Sequence, residues 1–132
     1  MSCFVERPSS IWQESVRATF CSVTPLIPTG GSLADALAFY TEHMGFSILW
    51  QTDGMAGIGR DGVQFNLVAN DTRAWADNAS FGIGVSNLEA LYEQLRQIPA
   101  NVGPLEQKAW GRREFHVIVP SGVCLQFFEQ GQ

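Results

Sequence analysis

Two stretches about 60 residues apart carry the same pattern, and this internal repeat limits what the chain can fold into more than any other feature. Asp61, Gly62, Val63, Gln64, Phe65, Asn66 and Leu67 correspond class for class to Ser121, Gly122, Val123, Cys124, Leu125, Gln126 and Phe127. A constant offset means one structural unit used twice, so the chain divides into two similar halves.

The second copy is the easier to read. Over 114–119 the residues alternate, with Phe115, Val117 and Val119 on one face and Glu114, His116 and Ile118 on the other, which is the period of a half-buried strand. Pro120, Ser121 and Gly122 form a turn, and 123–128 run back as a second strand with Val123, Leu125 and Phe127 on the apolar face and Cys124, Gln126 and Phe128 opposite. A strand over 80–85, a helix capped by Asn87 that buries Leu88, Leu91, Leu95 and Ile98, and a short strand over 105–109 precede this hairpin.

The first half has the same order. Residues 18–27 read as a strand, and Ser32 as the N-cap of a helix with Leu33, Leu37, Tyr40 and Met44 at helical spacing and Gly45 as its stop. Strands follow over 46–51 and 63–69, with a glycine-rich strand or turn between them. Residues 70–79 read as a polar connector. Residues 1–17 fit neither half: Ser9 or Ser10 could cap a short helix carrying Ile11, Trp12 and Val16, and the alternative is an unstructured tail. The expected organisation is an extension over 1–17 and one domain over 18–129, built from modules 18–69 and 80–129.

The expected fold class is therefore α+β, two βαβββ modules forming a curved mixed sheet with helices on one face and an open cleft on the other. At 132 residues and 45% hydrophobic content the chain can bury a core without disulfides. Its three cysteines lack metal-ligand spacing and are expected to be reduced. No apolar run reaches about 18 residues and no leader pattern is evident, which points to a soluble, cytoplasmic protein with no membrane partner. A net charge of −5 argues against nucleic acid as a partner and is compatible with a cationic ligand.

Sorting the strands by alternation leaves a polar set for the open face: Ser22, Thr24, Gln64, Asn66, Ser80, Glu114, His116, Cys124, Gln126 and Phe128, with Gly82 and Gly84 leaving room for a ligand. Glu114 and His116 project to one side and could act as a ligand pair or as acid and base, or Glu114 could pair with Arg112, Arg113 or a backbone group. His43 is expected at the surface near a helix end. Trp50, Trp75 and Trp110 fall at strand ends or loops, where indoles stack on planar ligands or plug sheet ends.

The runs TPLIPTGG, ALAFYTEHMGFSILW and WGRREFHVIVPSG resemble the vicinal oxygen chelate superfamily, the fold of glyoxalases and extradiol dioxygenases, and within it the bleomycin-resistance branch. The resemblance covers 18–129, with Val119, Pro120, Ser121 and Gly122 standing where the branch usually has Asp-Pro-Asp-Gly. Enzymes of the superfamily hold a divalent metal at positions that fall here at or beside Thr24, Asn66, Ser80 and Gln126, a set without His or carboxylate and too weak for such an ion. The resemblance implies a non-catalytic homodimer that binds and sequesters a small planar, cationic antibiotic of the bleomycin type, and the weak ligand set implies no metal or other cofactor. The alternation of the strands and the positions of the tryptophans give the expected ligand-binding set as Trp50, Gln64, Asn66, Trp110, Glu114, His116, Gln126 and Phe128. Trp50 and Trp110 would stack on the ligand, Glu114 would supply counter-charge, and Asn66 and Gln126 would fix orientation. The alternative is a metal-dependent lyase, isomerase or dioxygenase of the same superfamily.

Overall fold

The computed structural model describes residues 17–130. The helix considered over 9–16 lies outside them. The elements run β1 (Leu26–Pro28), α1 (Leu33–His43), β2 (Ser47–Gln51), β3 (Met55–Arg60), β4 (Val63–Val68), α2 (Arg73–Asn78), β5 (Ser80–Val85), α3 (Leu88–Leu95), β6 (Asn101–Val102), β7 (Glu106–Gln107), β8 (Arg113–Ile118) and β9 (Cys124–Glu129).

The repeat is a repeat of topology. One mixed sheet has the order β1-β4-β3-β2 and the other β5-β9-β8-β6, with β7 also paired to β8. In each, the strand before the helix lies parallel to the last strand, Leu26 beside Asn66 and Gly82 beside Gln126, and the remaining pairs are antiparallel. The second module's outer strand is split into β6 and β7, both held by β8.

Local signals account for most element ends. Ser32 Oγ accepts from the Asp35 N–H at 3.1 Å, capping α1, and Gly45 follows its end with φ 74°. Gly122, at φ 108°, closes the β8–β9 turn by donating to the Val119 carbonyl at 2.8 Å. The cap of α3 differs from expectation. Asn87 is left-handed, at φ 62°, and its side chain caps nothing; the Leu88 N–H donates instead to Glu129 Oε1 at 3.1 Å, across from β9.

Both modules share one core. Leu33, Leu37, Tyr40 and Met44 of the first helical segment and Leu88, Leu91 and Leu95 of α3 are buried against Ile27, Ile58, Phe65, Leu67, Phe115, Val117, Leu125 and Phe127. Phe65 stacks on Phe46 at 5.5 Å between ring centroids and meets Phe81 of the second module at 6.3 Å, so aromatic contact runs across the module boundary. The two helix-side faces thus pack into common apolar volume, and no hydrogen bond, ion pair or ring contact among the described residues joins the two open faces.

Several expectations are corrected. The strand expected over 18–27 is reduced to Leu26–Pro28, preceded by one further bond from the Asn66 N–H to the Pro25 carbonyl at 2.8 Å, and Phe20 and Val23 are 99% and 86% exposed. Residues 70–79 hold a helix, α2, because Asn70 Oδ1 turns the chain by accepting from the Thr72 N–H and Ala76 is buried beneath it. The short strand over 105–109 becomes the pieces Asn101–Val102 and Glu106–Gln107. Reduced thiols hold at Cys124, which is free, but Cys21 is disulfide-bonded and lies on the exposed stretch, where no strand shields it.

Candidate functional site

The open faces are defined by two equivalent rows of residues. Across the first sheet run Leu26, Asn66, Gly57 and Trp50; across the second run Gly82, Gln126, His116 and then Gly103, whose N–H donates to the His116 carbonyl at 2.9 Å. Asn66 and Gln126 hold the same place in the two modules. Side chains opposite one another in a pleated sheet share a face, which puts each row on one surface.

On the first module, Trp50 is 43% exposed, Gln64 is exposed and Asn66 half-buried. The register shifts between Ile48 and Trp50, an irregularity that leaves Leu49 as the extra residue. Leu49 Cδ1 then approaches Gly59 while the Trp50 indole covers Gly57, so both apolar side chains project to the open face. Alternation alone would have separated them. Glycine at 57 and 59 is what allows it.

On the second module, Glu114, His116, Gln126 and Phe128 come together. Glu114 is only 6% exposed, and its Oε2 accepts from Arg112 Nε at 3.0 Å. The same guanidinium lies 4.0 Å from the centroid of the Phe128 ring, so Arg112 closes over both side chains. A buried carboxylate is costly unless paired, and Arg112 is the partner that makes Glu114 tolerable there. Glu106 and Lys108 form a second pair at 2.8 Å beside it. The hydrogen bond from Lys108 and its charge hold the Glu106 carboxyl below its ordinary range, while the bond to Glu106 raises Lys108. Gln126 Nε2 donates to Ser80 Oγ at 3.2 Å. Trp110, in the turn before β8, is 69% exposed.

The eight side chains expected to bind ligand therefore fall into two groups, Trp50, Gln64 and Asn66 on one module and Glu114, His116, Gln126 and Phe128 on the other, with Trp110 at the second group's edge. One chain does not bring the groups together. Thr24 and Ser22, expected on the open face, lie on the exposed stretch before β1. His43 packs its ring against Phe39, at 5.6 Å. Among the described residues no three His, Cys, Asp or Glu side chains gather. Sequence reasoning missed Arg112 over Phe128, Lys108, and the roles of Gly57 and Gly103; WGRREF contained the first signal, an arginine two residues before a strand carboxylate on the same side.

A concavity of about 510 Å3 lies elsewhere, between the modules on their helix side, lined by Met44, Phe46, Arg60, Leu91, Leu95 and Phe127 among others. None of the eight lines it. We place the candidate site on the open faces, because that concavity is a seam in the common core with Arg60 already bound to the Met44 carbonyl and to Gln94.

This topology has known counterparts. The sequence pattern of the Glyoxalase/Bleomycin resistance protein/Dioxygenase superfamily matches residues 28–127. The chain belongs to this superfamily. It is 25% identical over 126 residues to a bleomycin resistance protein of Geobacillus stearothermophilus, covering 80% of this chain and 94% of that protein. Among solved structures it is similar to the bleomycin-binding protein of Streptomyces verticillus complexed with copper(II)-bleomycin, with a TM-score of 0.78, 22% identity, and 87% of this chain and all of the other covered. The bleomycin resistance determinant encoded on transposon Tn5 gives a TM-score of 0.75 at 20% identity, covering 84% of this chain and 98% of the other. The expected superfamily is thus confirmed, and with it the α+β fold of two modules. No described helix is long and apolar enough to cross a membrane.

Proposed function

We propose that this protein binds and sequesters a planar antibiotic of the bleomycin type, in sites formed when two copies of the chain bring unlike modules together. The observation that carries the reading is the exposure of Trp50 and Trp110 on or beside polar open faces of a chain whose other large apolar groups are mostly in the core. Large exposed aromatics are the informative departure in a folded protein, and indoles are efficient stacking anchors. The similarity to bleomycin resistance proteins supports the ligand class.

A second copy is part of the reading because the modules of one chain share their core and leave both open faces without a partner. The exposed stretch supports it too. Burying Phe20 would contribute about 1.5–3 kcal/mol, and an extended segment ahead of Pro25 suits exchange onto another chain. A cationic ligand would draw counter-charge from Glu114 only by displacing Arg112, since in the free protein that carboxylate is already paired.

Calorimetric titration with bleomycin tests the proposal. We expect saturable binding by the wild type and a loss of about tenfold or more in Trp50→Ala and Trp110→Ala, each tenfold corresponding to about 1.4 kcal/mol. Unchanged affinity in both folded variants would move the site elsewhere, and no wild-type binding would overturn the ligand class.

A further inference from the structure

We infer that Gly57 and Gly103 are positioning residues that set Trp50 and His116 as ring shelves at the equivalent rows of the two open faces. The inference rests on the ligand-binding reading above, but its structural half stands on the glycines alone.

The two rows compare position by position. Asn66 and Gln126 are equivalent, next come Gly57 and His116, and then Trp50 and Gly103. In the first module the ring arises from the edge strand and occupies the space in which a side chain at 57 would stand. In the second the ring arises from the inner strand and occupies the space of a side chain at 103. A Cβ at Gly57 would sit 2.6 Å from Trp50 Cε2 and 2.7 Å from Cδ1. One at Gly103 would sit 2.7 Å from both ring nitrogens of His116. Each pair of positions thus holds one ring and one glycine, with the order exchanged between modules.

Neither glycine is there for its backbone. Gly57 and Gly103 are not among the glycines with positive φ, so alanine is conformationally acceptable at both. Both are buried, which shows that the rings cover them. What glycine supplies is the vacancy that lets a ring settle against the sheet while its other side remains available. With alanine at 57 the indole has to swing toward solvent, which it can do because it is on an edge strand and half exposed. The fold therefore survives the change and the shelf does not. When open faces of unlike modules oppose each other, the Trp50 ring stands over the inner strand β3 at Gly57 and the His116 ring over the sheet edge at Gly103. The two rings are then offset across the site, and a planar ligand is held between staggered shelves.

The test uses the full chain with Gly57→Ala, Gly103→Ala and, as a control, Gly54→Ala, whose Cβ would meet nothing within 4 Å. In ligand-free protein we expect the Trp50 indole N–H resonance, identified by its loss in Trp50→Phe, to move in Gly57→Ala and not in the control. The His116 ring resonances should move in Gly103→Ala. Melting temperatures should stay within a few degrees of wild type, because a strand Gly→Ala change at an ordinary φ does not strain the backbone. With bleomycin as the probe, affinity should fall about tenfold in each variant. Unmoved resonances would overturn the inference, as would moved resonances with unchanged bleomycin affinity. Absence of binding by the wild type would instead overturn the proposed ligand, with the ligand-free spectra still deciding where the rings are held.

Discussion

Arg112 shows how one residue changes the meaning of its neighbours. Among the readings the sequence allows for Glu114 (a ligand or acid–base pair with His116, a counter-charge for a ligand, or the partner of a nearby arginine or backbone group), the 3.0 Å contact decides for Arg112 in the free protein. Removing Arg112 leaves a nearly buried carboxylate unpaired, which is among the costlier single changes a small domain meets. Because the Arg112 side chain is itself partly exposed, we expect Arg112→Ala to cost about 1–3 kcal/mol, a discounted form of a fully buried broken pair. The fall in melting temperature should be several degrees. The double variant with Glu114→Gln should recover a large part of it, since the uncompensated charge is gone. A double variant no more stable than Arg112→Ala would mean that Arg112 acts through its packing on Phe128 and not through the carboxylate.

At the level of elements, the parts visible in the sequence are those whose signals are local. Alternation placed β8 and β9, helical spacing and Ser32 placed α1, and the repeat at Gly62 and Gly122 announced the two modules. What was not legible depends on partners distant in the chain or lacking in it. Residues 18–25 have strand composition, but the ladder with β4 covers only Leu26–Pro28, with the Pro25 carbonyl as its last contact. The bulge at Leu49 brings Trp50 to the open face beside Leu49, and a period-2 reading of SILWQ does not contain it. The cap of α3 is the sharpest case: Asn87 has the right residue type, but Glu129, 41 residues beyond Leu88, takes that residue's N–H. Glu129→Ala should therefore cost about 0.5–2 kcal/mol, the usual range for a lost cap. Asn87→Gly should be neutral, because its left-handed backbone suits glycine and its side chain caps nothing. Urea denaturation of both variants checks the assignment, and a larger loss in Asn87→Gly than in Glu129→Ala would reverse it.

For the whole molecule, the arrangement of faces governs how function can be assembled. One chain commits its two helix-side faces to a single core, joined through Phe65 and Phe81, and keeps its two open faces apart. If a site needs both a Trp50 face and a His116 face, they come from different chains, and a closed two-fold pair then makes two equal sites. Light scattering should give twice the 14.5 kDa of one chain, and Phe20→Asp, on the exposed stretch, should shift the balance toward the single chain. A mixed dimer gives the stronger test. Pair a Trp50→Ala chain with a His116→Ala chain, each carrying a different purification tag. Sites shared between chains would then include one that lost both rings and one that lost neither, so half the sites should bind bleomycin with wild-type affinity. Sites built within single chains would each have lost one ring, and no site of wild-type affinity would remain. A titration of the doubly purified dimer separates these outcomes by stoichiometry, independently of how large each ring's contribution is.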